Sequence, residues 1–134
     1  MSAPREIIPP PGRTPNVERS SGQLASMAVS GGDFLFVSGL TAVDLQSGER
    51  IRGTTASETR HILTNLKQLL EAAGSSLDKV VKCSVMIADM AEWPKMNAIY
   101  MTYFPGSKPA RSAWGANGLA LGARVEIECI ALAH

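Results

Sequence analysis

The chain has 134 residues, 45% of them hydrophobic, and a formal net charge of +1, which is enough for one globular domain with a real core. Its 13 basic residues are scattered and form no stripe interleaved with aromatics, so the electrostatic footprint of a nucleic-acid binder is missing and no nucleic acid is expected as partner. No apolar run reaches membrane-spanning length and no signal-like apolar region follows the start, so no membrane partner and a cytoplasmic setting are the expectations.

Five of the eight prolines fall in the first fifteen residues. Residues 1–20 are therefore expected to form a flexible or polyproline-like segment, which Ile7 and Ile8 could pin to a neighbour. Residues 21–134 are expected to form a single domain. Residues 24–29 (LASMAV) read as a first strand, Ser30-Gly31-Gly32-Asp33 as a turn and residues 34–38 (FLFVS) as a buried second strand, together a hairpin. Gly39 follows at once; a glycine at a strand end is either a turn residue or a point of close approach for a ligand or another chain segment. Residues 41–53 are polar and turn-rich, with a short strand expected at 49–51.

A helix is expected next. Thr55 and Glu58 have capping-box spacing, Gly74 suits the residue after its end, and Ile62, Leu66, Leu69, Leu70 and Ala73 share one stripe. His61 falls on the opposite face with Glu58, Asn65 and Gln68, where it reads as solvated. Residues 79–88 (KVVKCSVMIA) are too short and too β-branched for a helix and read as a strand. Asp89 then caps a second helix, with Glu92 three residues on and Pro94 tolerated in the first turn. Met96, Ile99, Tyr100 and Tyr103 give that helix its apolar side, and Pro105-Gly106 ends it. Asn97 lies close to that side, where a buried amide needs partners and would tie the helix to a neighbouring strand or loop.

Residues 107–132 read as two strands and a short connection. Pro109 favours an extended start for residues 109–116, Asn117-Gly118 is a turn dipeptide, and residues 124–132 alternate. Val125, Ile127, Cys129 and Ala131 share one face; Arg124, Glu126 and Glu128 share the other. Arg111 is the sole charge between Lys108 and Arg124. From spacing alone, two carboxylates opposite a buried face read as a solvated face. Cys83 and Cys129 lie in strands without metal-ligand spacing, so they read as buried free thiols, and no metal site is expected. The element order suggests a mixed sheet with both helices on one face. The other face, with Met86, Trp114 and Ile130, must also be covered, which implies self-association.

Five segments in one order, VSGL (37–40), residues 65–90, MNAIYMTYF (96–104), PARS (109–112) and VEIECIA (125–131), resemble the Rid family of reactive intermediate deaminases, also called YjgF. The resemblance implies an α+β, chorismate-mutase-like fold with a mixed six-stranded sheet and two helices on one face. It also implies a homotrimer whose sheets form a central barrel with intersubunit clefts. The implied activity is hydrolysis of enamines and imines to 2-keto acids and ammonia, with no cofactor. Arg111 matches the family's carboxylate-binding arginine and Glu126 the acid that activates water. Gly39 and Ala113 match positions whose backbone lines the cleft, and Asn97 a cleft-adjacent asparagine. Two departures stand out. Ala25 replaces an aromatic, usually Tyr, and Met27 a glutamine, while Trp114 places a large ring just past the arginine motif. Three readings follow: a deaminase, a non-catalytic trimer that binds a small carboxylate as a sensor or regulator, and the family's ascribed ribonuclease or translation-inhibitor role.

Overall fold

The computed structural model describes residues 5–7 and 26–134. In chain order the elements are β1 (Arg5–Ile7), β2 (Ala28–Gly31), β3 (Phe34–Leu40), α1 (Thr55–Ala72), β4 (Val80–Ile87), α2 (Trp93–Tyr103), β5 (Ala110–Gly115) and β6 (Val125–Leu132). The strands form one sheet in the order β1-β2-β3-β6-β4-β5. The β4–β5 pair is parallel and the others are antiparallel. Both helices pack on one face, so the class is α+β with a mixed sheet.

The alternation expected in the last strand is present. Val125, Ile127, Cys129 and Ala131 of β6 are buried, and its two neighbours, β3 and β4, bury the residues that share their side of the pleat. Leu35 and Val37 from β3, and Cys83, Val85 and Ile87 from β4, meet Ile62, Leu63, Leu66 and Leu70 of α1 and Met96 and Tyr100 of α2 in one core. The opposite face carries Phe34, Phe36, Met86, Trp114, Ile130 and Leu132; Phe36 and Trp114 keep 46% and 44% of their surface exposed.

Five of the six expected strands lie in the sheet. The one expected at 49–51 is reduced to an isolated bridge between Val43 and Arg50. The turn-rich loop folds back on itself through Asp44 and Glu49 rather than reaching a sheet edge. A three-residue strand with no partner beyond its own loop has no ladder to extend. The remaining strand is β1, within the segment expected to be flexible; the other residues of 1–20 lie outside the described ones. The first strand, expected over 24–29, is observed as β2, displaced toward the hairpin turn; residues 24 and 25 lie outside the described ones.

The cap of α1 is one residue earlier than its spacing suggests. Thr54 is the N-cap, its hydroxyl accepting from Ser57 N at 3.1 Å while Ser57 Oγ accepts from Thr54 N at 2.9 Å. That shift frees Glu58 for a different task. Its carboxylate is 2% exposed and accepts from Gly53 N at 3.2 Å and from Arg124 N at 3.0 Å. Those donors sit in segments that no ladder serves, so the side chain closes the gap between loop and sheet.

The expected solvated face of α1 is covered at Glu58 and Asn65 and in part at His61, while Gln68 stays exposed. His61 is half-buried and its Nε2 donates to the Val43 carbonyl at 3.0 Å, which Asn65 Nδ2 also reaches at 2.8 Å. The loop at 41–53 lies over this face because its own carbonyls need donors that the helix can supply. The second helix begins through a short 3₁₀ turn, Met90–Glu92, whose N-cap Asp89 accepts from Ala91 N at 3.0 Å; Pro94 then falls in the first turn of α2.

Replacing Glu58 by Ala leaves two backbone donors without their partner. The expected loss is about 1–3 kcal/mol in urea unfolding; an unchanged midpoint would show that the carboxylate does not bridge loop and strand.

Candidate active site

Arg111 projects from edge strand β5 toward α2, because its register partner Cys83 is buried on the helix face. Its Nη1 donates to Asn97 Oδ1 at 2.7 Å, and its guanidinium carbon lies 4.8 Å from the Tyr100 ring centroid and 5.5 Å from that of Trp93. Two aromatic contacts and one amide hold the planar group by its faces and one edge, leaving Nε and Nη2 as donors. Asn97 thus ties helix to strand, as its position on α2 suggests. A cleft of ≈ 420 Å³ opens beside Arg111, walled by Tyr100, Met101, Phe104 and Pro109.

Glu126 lies on the other side of the sheet. It pairs in register with Met86, which pairs with Trp114, so these three side chains form a row on the open face. Gly39 belongs with this group. A Cβ built on Gly39 would overlap Glu126 Oε2 and lie 2.9 Å from its Cδ, so the carboxylate folds over the bare backbone of β3 where the strand is irregular. Ala113 is half-buried on the helix face with Arg111, and Glu128 is exposed on the open face near Lys82 and Ser84. Within one chain the candidate residues thus fall into two groups. Arg111, Asn97 and Ala113 stand on one face; Glu126, Gly39 and Trp114 stand on the other. Alternation along each strand was legible in the sequence, but the relative facing of β5 and β6 depends on register, which it did not reveal.

Trp93 and Tyr100 were missed as contacts of Arg111. Their signal was there in part, since residues 93, 97 and 100 fall at helical spacings that share one face. Tyr100 is buried and its hydroxyl, near the Cys83 thiol, has no hydrogen-bond partner of normal geometry among the described residues. Burial raises its pKa, and Cys83 beside it adds to that. Burial likewise raises Cys83 and Cys129, which face each other across β4 and β6. Among the described residues no group of His, Cys, Asp and Glu is arranged to hold a metal ion, and no helix is long and apolar enough to cross a membrane.

The mixed sheet with two helices on one face defines a class, that of Rid-type proteins. A family model described as Endoribonuclease L-PSP matches residues 18–133. The chain belongs to this family, the Rid or YjgF family. It is 43% identical over 106 residues to a RutC family protein of Pyrococcus horikoshii, covering 79% of this chain and 84% of that one. It is 42% identical over 107 residues to a 2-iminobutanoate/2-iminopropanoate deaminase of Mus musculus, covering 80% and 79%. Among solved structures, a Rid-family protein of unknown function from Yersinia pestis superposes with a TM-score of 0.85 at 30% identity, over 97% of this chain and 99% of that one. The E. coli protein TdcF, solved with bound serine, gives 0.81 at 28% identity, over 95% and 98%.

Two outcomes are expected from this geometry. Gly39→Ala should fold with a melting temperature near the parent's, because only the flexible end of Glu126 must move, and a crystal structure should show that carboxylate turned away from β3. A carboxylate still in place would remove the close-approach requirement. Because burial raises both thiols, the thiolate fraction at mildly alkaline pH is smaller than for a free cysteine, and iodoacetamide should label Cys83 and Cys129 slowly until denaturant is added. Rapid labelling of the folded protein would contradict their burial.

Proposed function

We propose that the protein is a hydrolytic deaminase of 2-imino acids and their enamine tautomers, working as a homotrimer. Arg111 carries this reading: a guanidinium fixed by Asn97, Trp93 and Tyr100, with two donors left beside a cleft, suits the bidentate grip of a carboxylate. The relatives named 2-iminobutanoate/2-iminopropanoate deaminase support the choice of reaction. Glu126 takes a proton from water as the oxygen attacks the C=N carbon and gives it to nitrogen, forming a carbinolamine; it then passes the proton of the new hydroxyl to the same nitrogen. The C–N bond breaks, ammonia leaves and a 2-keto acid remains. No cofactor enters this scheme. Since Arg111 and Glu126 face opposite sides of one sheet, the working site combines Arg111 of one subunit with Glu126 and Gly39 of another. The open face, with Phe36 and Trp114 exposed, is the surface the trimer covers.

A second reading, a trimer that binds a small carboxylate without turnover, is favoured by Ala25 and Met27, which replace an aromatic and a glutamine, and by the serine bound to TdcF. Ala25 lies outside the described residues. The ribonuclease reading gains no support from the scattered basic residues or the net charge of +1.

Both readings are separated by feeding the protein 2-iminobutanoate generated in situ and measuring keto-acid release. Arg111→Ala is expected to lose binding, at about 2–5 kcal/mol. Glu126→Gln is expected to keep binding while slowing turnover by roughly 10²–10⁴. Refolding the two inactive variants together should restore part of the activity, because mixed trimers contain some sites with both groups intact. Failure of this complementation, or a monomer mass by light scattering, would remove the shared site. Carboxylate binding without any turnover in the parent protein would establish the second reading.

A further inference from the structure

At the end of the sheet where α1 begins, three arginines from two segments line a cavity of ≈ 360 Å³, a volume at the lower end of small-molecule clefts. Arg50 and Arg52 come from the loop before α1, and Arg124 immediately precedes β6. None of the three is in an ion pair among the described residues. Their partners are neutral. Arg50 Nη1 donates to the Leu121 carbonyl, and Arg124 Nε donates to the Gly53 carbonyl at 2.8 Å. Arg52 is exposed, while Arg50 Nε is buried with no hydrogen-bond partner among the described residues.

Arg50 Nε is closed to solvent and out of a ligand's reach, but the guanidinium N–H groups that the Leu121 and Gly53 carbonyls leave unused can take a further acceptor. The acid in the cavity, Glu58, does not fill that role. Both of its oxygens are engaged by backbone donors, Gly53 N and Arg124 N. Its charge offsets one of the three arginines and leaves the cavity cationic. Leu121, whose carbonyl Arg50 holds, adopts φ 56°, a left-handed conformation that costs an L-residue free energy, and its side chain is 77% exposed. The geometry is thus that of three arginines, two from the loop and one from the start of β6, lining one space. A planar monocarboxylate matches one arginine fork; a tetrahedral dianion offers acceptors to all three.

We propose that this cavity is an anion site for a small phosphate monoester, distinct from the Arg111 cleft. Arg50 and Arg124 grip the phosphate oxygens from the two walls and Arg52 closes over them from the rim. Bound there, the ester clamps the loop before α1 to the start of β6, so it should also raise the melting temperature.

The test is calorimetric titration of the parent protein with inorganic phosphate and with phenyl phosphate, at constant ionic strength, with acetate as the monocarboxylate control. One phosphate site per chain is expected, with a rise in melting temperature, and acetate should not compete. Arg124→Gln and Arg52→Gln should each weaken phosphate binding about tenfold or more, the loss expected for a charge-assisted hydrogen bond. Arg52 is exposed, so its variant keeps the test open if Arg124→Gln unfolds. Arg111→Ala should bind phosphate as the parent does. No binding at millimolar phosphate, binding that survives both arginine changes, or binding lost in Arg111→Ala would overturn the assignment.

Discussion

The pleat of β6 governs where every other group in this protein can be. Flanked by β3 and β4, the strand is hydrogen-bonded along both edges and cannot slip without moving four apolar side chains out of the core. Its buried face fixes the seats of both helices. Its other face fixes Glu126, and through Glu126 the bare backbone at Gly39. A single residue of register change would turn the carboxylate to the helix-facing core, where an unpaired charge is strongly disfavoured. Position of the acid and integrity of the core are therefore one constraint.

The same sheet separates the acid from the arginine. Arg111 belongs to an edge strand, joined to β4 in parallel register, and its guanidinium is drawn to the helix side by Asn97, Trp93 and Tyr100. That environment is half apolar. Aromatic faces hold the group without neutralising it, which preserves its charge for a ligand, whereas a carboxylate neighbour would have competed with one. The buried Tyr100 hydroxyl and the Cys83 thiol lie behind it, both kept neutral by burial. Tyr100 shapes the wall of the cleft rather than its charge.

Polar side chains of α1 turn to the loop before it. Glu58, His61 and Asn65 meet the backbone of residues 43, 53 and 124 instead of water. A long irregular loop becomes ordered in this way only when side chains satisfy its backbone groups, since it has no ladder of its own. The same loop delivers Arg50 and Arg52 to the sheet end beside Arg124, so the order of the loop and the cationic cavity have one origin.

The sequence by itself determined the hairpin, the two helices, the strand with alternating burial at the C-terminus and the buried state of both thiols. These follow from local spacing, in which apolar periodicity and turn residues act over a few positions. It also singled out Arg111, Glu126, Gly39 and Asn97 through an ordered set of short segments. Tertiary structure decided the rest. The strand expected at 49–51 was a bridge, because a strand exists only where a partner edge is free. Glu58 was buried and His61 half-buried, because the loop before α1 folds back over their face. Above all, Arg111 and Glu126 fell on opposite faces of the sheet. Each strand's own alternation is written in its residues, but which face of β5 matches which face of β6 is set by hydrogen-bond register through β4, a non-local quantity that no spacing within either strand contains.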